Sequence, residues 1–274
     1  MPREWDDNDA FLALITDYTA PNKQTYFFVT TTVSNRAVYA AKKDVLAFVE
    51  APSIPFTEFS LAAFWSWTLK QQPSSGNRMP PASYAPLYGV TPWPFAGNQT
   101  TFAELAEANV NWATTGAEGG LPSNIILKQG NLSDGNPWNF WYAGDWAQIN
   151  IALALANEII NGSATNLAPL YYNQDGINRL QNRAVQVMNQ AVAYGLAVGQ
   201  VIATQLPALQ FAANFDAGLY EGQLPVNAEP FLIYSNENPD DYAIGKYAGL
   251  AAVLTPLRGF LSVFFSLVIT DLIS

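Results

Sequence analysis

The residues of this 274-residue chain that could do chemistry are acids, amides and aromatics, because histidine and cysteine are both absent. That absence removes imidazole general bases, thiolate nucleophiles, disulfides and Cys/His zinc sites. Glu104 and Glu107 lie one helical turn apart and make a formal carboxylate pair, yet nothing near them in sequence would tune their acidity. The run Asn236-Glu237-Asn238-Pro239-Asp240-Asp241 is rich in oxygen ligands. It lacks the glycine-centred spacing of a calcium loop and reads as a solvated turn and helix cap. Residues 116–120 are glycine-rich without the Lys-Ser/Thr of a phosphate loop. Trp138, Phe140, Trp141, Tyr142 and Trp146 could stack against a sugar, although such clusters more often pack in cores and interfaces. Asn98, Asn131 and Asn161 each open an Asn-x-Ser/Thr triplet, which reads as chance without a secretion signal. No catalytic constellation emerges. The expectation is a non-enzyme with no cofactor and no metal.

The elements around these residues mix helix and strand. Residues 8–18 carry Phe11, Leu12, Leu14 and Ile15 behind Asp6, Asp7 and Asp9, a helix start. Residues 26–32 and 45–49 are β-branched and aromatic and read as strands. A helix is expected over 58–69, a proline-rich loop over 71–82, and a helix over 101–112 with Phe102, Leu105 and Ala108 at helical spacing. Residues 124–128 and 138–142 read as a strand pair joined across Asp134-Gly135. Residues 145–160 form a helix with Ile149, Leu153, Ala156 and Ile160 on one face. Residues 175–199 form another, with Ile177, Leu180, Ala184, Val187, Met188, Ala191 and Gly195 along one side. Without a strict strand–helix alternation, the class is α+β (mixed α/β): a mixed β-sheet flanked by helices. No repeat and no clear linker divides 1–274, so the chain reads as one unit.

Half the residues are apolar and 14% aromatic, but only 12% are charged, about half the usual share. A surface so poor in charge should meet other subunits or a membrane. The net charge is −10 and the 12 basic residues are scattered, Lys42-Lys43 being the only adjacent pair. That distribution excludes nucleic acid as a partner, because phosphate neutralisation needs clustered cations. Met1 is followed by the polar run 2–7, unlike a signal peptide, so synthesis in the cytoplasm is expected.

Residues 247–273 are apolar enough to raise a membrane span. Pro256 and Arg258 interrupt them, leaving 259–270 uncharged, short of the roughly 20 residues that a span needs. The remainder alternates. Leu261, Val263, Phe265, Leu267 and Ile269 fall on one face, and Ser262, Phe264, Ser266, Val268 and Thr270 on the other. This is the period of a strand covered on both sides, and it points to strand addition to a sheet rather than membrane insertion.

Several runs, in order, resemble one family. They are Glu58-Phe59-Ser60-Leu61-Ala62-Ala63, Asn77-Arg78, Leu87-Tyr88-Gly89-Val90-Thr91-Pro92 and Asp145-Trp146 opening a long helix. A second helix follows, opened by Asn173 to Gly176 and ending near Gly195. Then come 226–234, the acidic run 236–241, a helix-like 242–254 and the strand 259–273. Together they are similar to the C-terminal portion of contractile phage tail sheath proteins, relatives of contractile injection system sheaths. The resemblance implies a virion subunit, assembled in the host cytoplasm, that stacks with itself in hexameric rings around a tail tube protein. It also implies contact with baseplate and tail terminator proteins, and contraction that drives the tube through the host envelope. On that pattern 1–95 would be a middle-domain portion and 96–274 a C-terminal, tube-proximal domain. Leu261, Val263, Phe265, Leu267 and Ile269 would form the strand-exchange interface, and Asp240, Asp241, Lys246 and Arg258 would face the tube.

Two other classes stay open: a secreted or surface carbohydrate-binding protein using the Trp/Tyr cluster, and a protein anchored in a membrane by its C-terminal apolar segment.

Overall fold

The computed structural model describes residues 3–6, 8–17, 26–94, 96–118, 121–164 and 167–261. The chain is α+β, with two mixed sheets flanked by helices. After helix α1 (Asp9–Asp17), strands β1 (Phe27–Thr31) and β2 (Val45–Val49) run parallel. Helices α2 (Ser60–Leu69) and α3 (Gln99–Glu107) lead to β3 (Asn111–Glu118). Strand β3 lies parallel to β2 and antiparallel to β4 (Leu121–Lys128). The sheet order is β1-β2-β3-β4, so residues on both sides of position 95 share it. Two long helices follow, α4 (Trp138–Ala164) and α5 (Gln174–Ala193). The second sheet holds β5 (Gln200–Thr204), β6 (Gln223–Ala228) and β7 (Leu250–Ala252) in that order, with α6 (Ala208–Asp216), α7 (Phe231–Glu237) and α8 (Pro239–Ala243) in its connections. The first pair, β5 and β6, is parallel and the second antiparallel.

Strand β2 is buried at every position, as an uncharged β-branched and aromatic run in an interior strand should be. Its side chains alternate between two cores. Leu46 and Phe48 join a cluster with Phe64, Leu127, Met188, Leu224 and Val226, which draws on both sheets. Val45, Ala47 and Val49 join Val29, Tyr39, Phe102, Leu105 and Trp112 on the opposite face. Asn111 pins the first sheet from within. Its buried carboxamide donates to the carbonyls of Ala47 (3.0 Å) and Asn131 (2.7 Å) and accepts from the amides of Gly130 (2.7 Å) and Asn131 (3.1 Å). Every hydrogen-bonding position of the group is used, which is the condition for burying it without penalty. Gly130 has φ +75, and a Cβ there would lie 2.5 Å from the Ser83 nitrogen, so no side chain fits.

Helix α5 matches its sequence stripe: Ile177, Ala184, Val187, Met188 and Ala191 are buried. Asn173 caps it by accepting from the Gly176 amide at 2.9 Å. It stops at Ala193 rather than 199 because Gly195 takes φ +72, with Leu196 N–H returning to Ala191 O and Gly195 N–H to Val192 O.

Four local expectations are corrected. Helix α3 ends at Glu107, because Asn109 turns left-handed (φ 54) and Trp112 enters β3. Residues 138–142 are not a strand but the first turns of α4, and the partner of β4 is β3. The aromatic side chains of Trp138, Tyr142 and Trp146 recur every four residues, a helical period that β-propensity had masked. The face of α4 carrying Leu153 and Ile160 points outward, these residues being 56% and 63% exposed. Its buried line is Ala143, Ala147, Glu158 and Gly162. Residues 242–254 do not form a helix. Helix α8 ends at Ala243, and the chain then forms β7 against β6.

Candidate assembly surfaces

After β7 the route of the chain is set by contacts as far as Leu261. Val198 N–H donates to Thr255 O (2.9 Å) and Leu257 N–H to Leu196 O (3.1 Å), extending the strand-like path beside residues 196–198. Asn139, in the first turn of α4, donates to Leu257 O at 2.7 Å. The Arg258 guanidinium lies over the Phe140 ring at 5.1 Å and donates to Asn136 Oδ1 at 3.1 Å. Gly259 passes against Pro81, and the Tyr84 hydroxyl donates to Leu261 O. The backbone of Tyr84 in turn donates to Leu127 O of β4. The segment thus crosses from the second sheet, over the start of α4, to Pro81 and Tyr84, where the chain begins to pair along the outer side of β4. Phe260 and Leu261 are exposed there. Of the strand-exchange residues only Leu261 is among the described residues. Val263, Phe265, Leu267 and Ile269 lie outside them.

The expected tube-contact residues fall in two places. Asp241 accepts from the Tyr234 hydroxyl (2.8 Å) and from Lys246 Nζ (3.1 Å), and these two bonds hold its carboxyl below the usual range. Asp240 sits exposed in the first turn of α8. An aromatic knot sets this corner: Tyr172 packs against Phe231 (5.7 Å), Tyr242 (5.1 Å) and Tyr247 (6.2 Å), with Tyr234 on Tyr247 at 4.9 Å. Burial raises the Tyr247 and Tyr234 phenols above their ordinary value, so these two stay neutral. Arg258 instead belongs to the start of α4, and no contact joins it to Lys246.

The residues weighed for chemistry are otherwise engaged. Glu104 pairs with Arg36 at 3.2 Å. Trp138 packs among Tyr26, Trp67 and Tyr142, and Trp146 against Tyr194. Trp141 donates to Asp134 at 2.6 Å, so the aromatic cluster is packing rather than an open platform. No group of three or more acidic ligands able to hold a metal occurs among the described residues. No helix among them is long and apolar enough to cross a membrane.

One ionic cluster escaped the sequence reading. Glu158, buried on α4, accepts from Arg183 Nε (2.7 Å) and from Arg179 Nε (3.0 Å) and Nη2 (2.5 Å) on α5. Hydrogen bonds from Arg183 and then Arg179 hold its carboxyl below the usual range. The available signal was a lone acid within the otherwise uncharged stretch 146–164, facing Arg179 and Arg183 one turn apart. The exposed side of α4 is the other omission: Leu153, Ile159 and Ile160 all face solvent with no charge among them.

This fold has a counterpart. It is similar to that of a chain in the cryo-EM structure of the anti-feeding prophage baseplate, 6-fold symmetrised, with a TM-score of 0.57 and 11% sequence identity. The likeness covers 94% of this chain and 63% of that one, so this chain spans less than two thirds of its neighbour's length. At that identity what is shared is the fold. No protein-family model matches the sequence, and no curated protein matches it.

Proposed function

We propose that this protein is a structural subunit of a contractile injection apparatus, and within it a sheath-type subunit that polymerises around a tail tube. The observation that carries the reading is the fold shared, over 94% of the chain, with a chain of the anti-feeding prophage baseplate. The sequence resemblance to tail sheaths supports the finer assignment. The alternating segment Leu261, Val263, Phe265, Leu267 and Ile269 is the strand donated to a neighbour's sheet. In support, the bonds from Asn139 and Tyr84 hold the stretch that leads into it, up to Leu261, against the body. Strand addition suits a lattice that must move, because directional backbone bonds hinge while the bodies they join rotate. The exposed face of α4 contributes a second contact, since uncharged apolar surface of that kind is covered in working assemblies. The role is structural rather than catalytic. Asp240, Asp241 and Lys246 face the tube, joined by Arg258 from the start of α4.

Sedimentation velocity of the purified chain tests the reading. Concentration-dependent growth into large ordered species is expected. A single small species at every concentration, or one that requires detergent, contradicts it.

A further inference from the structure

Beside the carboxyl ends of β1 and β2, the short turn at Arg3–Trp5 is latched to the body at two points. Asp6 accepts from Thr31 Oγ1 (3.1 Å), the Thr32 amide (3.2 Å), Asn35 Nδ2 (3.2 Å) and the Tyr39 hydroxyl (2.9 Å). Arg3 inserts its guanidinium into a different set of groups. Its Nη2 pairs with Glu50 Oε2 at 3.0 Å and donates to the Glu58 carbonyl. Its guanidinium carbon lies 5.8 Å from the Phe56 ring centre and 5.5 Å from that of Phe59. The other Glu50 oxygen accepts the Ser60 amide at 3.1 Å, which fixes the carboxylate in place.

We propose that Glu50, Phe56, Phe59 and the Glu58 carbonyl form a guanidinium socket, filled here by Arg3 and able to take an arginine side chain of another polypeptide when segment 3–6 is displaced. The parts are those that distinguish a guanidinium from an ammonium: a fixed carboxylate, a carbonyl acceptor and two aromatic rings. The Glu50 side chain is only 8% exposed, so the socket keeps a desolvated acid that needs a cation. Burial raises the Glu50 carboxyl and Arg3 counters it. The occupant is not sealed in. The Arg3 side chain is 24% exposed, and Phe56 and Phe59 are 75% and 50% exposed. Arg3 also under-uses the site, because its buried Nε finds no acceptor. A cleft of about 290 Å³ lined by Arg3, Thr31, Glu50 and Trp93 adjoins it, leaving a path for a second side chain. The partner implied is a protein surface presenting an arginine.

The test uses the full chain carrying Arg3→Gly, with N-acetyl-arginine amide and N-acetyl-lysine amide as probes. The arginine amide should raise the thermal midpoint saturably, by about 2–4 °C near saturation, and the lysine amide by less than a third of that. Adding Phe56→Ala, a change at an exposed ring, should weaken the arginine effect several-fold. Equal responses to the two amides, or no saturable response, would overturn the proposal. If Arg3→Gly does not unfold cooperatively, Arg3→Lys gives the same comparison, and its failure to respond to the arginine amide counts equally against the socket.

Discussion

The side-chain amide of Asn139 donates to the carbonyl of Leu257 at 2.7 Å across 118 residues of sequence, fastening the last described stretch of chain to the start of α4. This bond and the Tyr84–Leu261 contact hold residues 257–261 against the body. Asn139→Ala should cost about 1 kcal/mol and loosen 255–261. Trypsin cleavage after Arg258 is the readout. The variant should be cut several-fold faster there than the parent, with cleavage elsewhere unchanged.

Glu158 should behave as a clamp between α4 and α5. Glu158→Gln removes the charge facing two arginines and should cost about 1–3 kcal/mol at pH 7. Because the folded carboxyl is held below its unfolded value, near 4.3, its contribution is present above that value. It is lost as the pH falls through the folded one. Urea unfolding of parent and variant should therefore differ at pH 7, and the difference should shrink as the pH is lowered below about 4.3. A difference that does not change with pH anywhere in the acid range would show the clamp to be steric.

The exposed side of α4 yields a prediction of opposite sign. Leu153→Ser with Ile160→Ser changes residues that already face water, so the monomer's thermal midpoint should move little. The concentration at which large species form should rise at least several-fold. Light scattering against concentration measures it, and an unchanged threshold would remove this face from the assembly.

Much of this architecture was legible in the sequence, and the misreadings have physical causes. The β2 run 45–49 and the α5 stripe announced themselves because burial on two faces or one imposes a clean pattern. Residues 138–142 misled because aromatic side chains favour strands until tertiary packing overrides them, here Trp138 lodging among Tyr26 and Trp67. Helix α4 misled differently. It carries apolar residues on both faces, and the line that reaches the core is the small one, Ala143, Ala147 and Gly162, which brings the backbone close to its neighbours. The sequence had no means of showing that Leu153 and Ile160 look outward, because apolar residues are common on protein surfaces as well as in cores. The Arg3 socket is assembled from segments about 50 residues apart, a juxtaposition that only the fold creates.

For the proposed tube contact, Lys246→Glu with Arg258→Glu should leave the far-UV circular dichroism unchanged, since both side chains lie at the surface. Assembly on preformed tubes should fail. Normal co-sedimentation of the double variant with tubes would remove these two cations from the contact.

Polymerisation by strand donation can be seen by negative-stain electron microscopy of the full chain beside Phe265→Asp and Ser266→Thr. Burying the five large side chains from Leu261 to Ile269 is worth about 1.5–3 kcal/mol each, less the entropy of ordering the segment. An aspartate in the middle of that face should be prohibitive, whereas a methyl added on the other face should not. Rings or tubes are expected for the parent and for Ser266→Thr, and isolated subunits for Phe265→Asp. Rings or tubes from Phe265→Asp that match the parent's, or a parent that never assembles, would contradict strand donation.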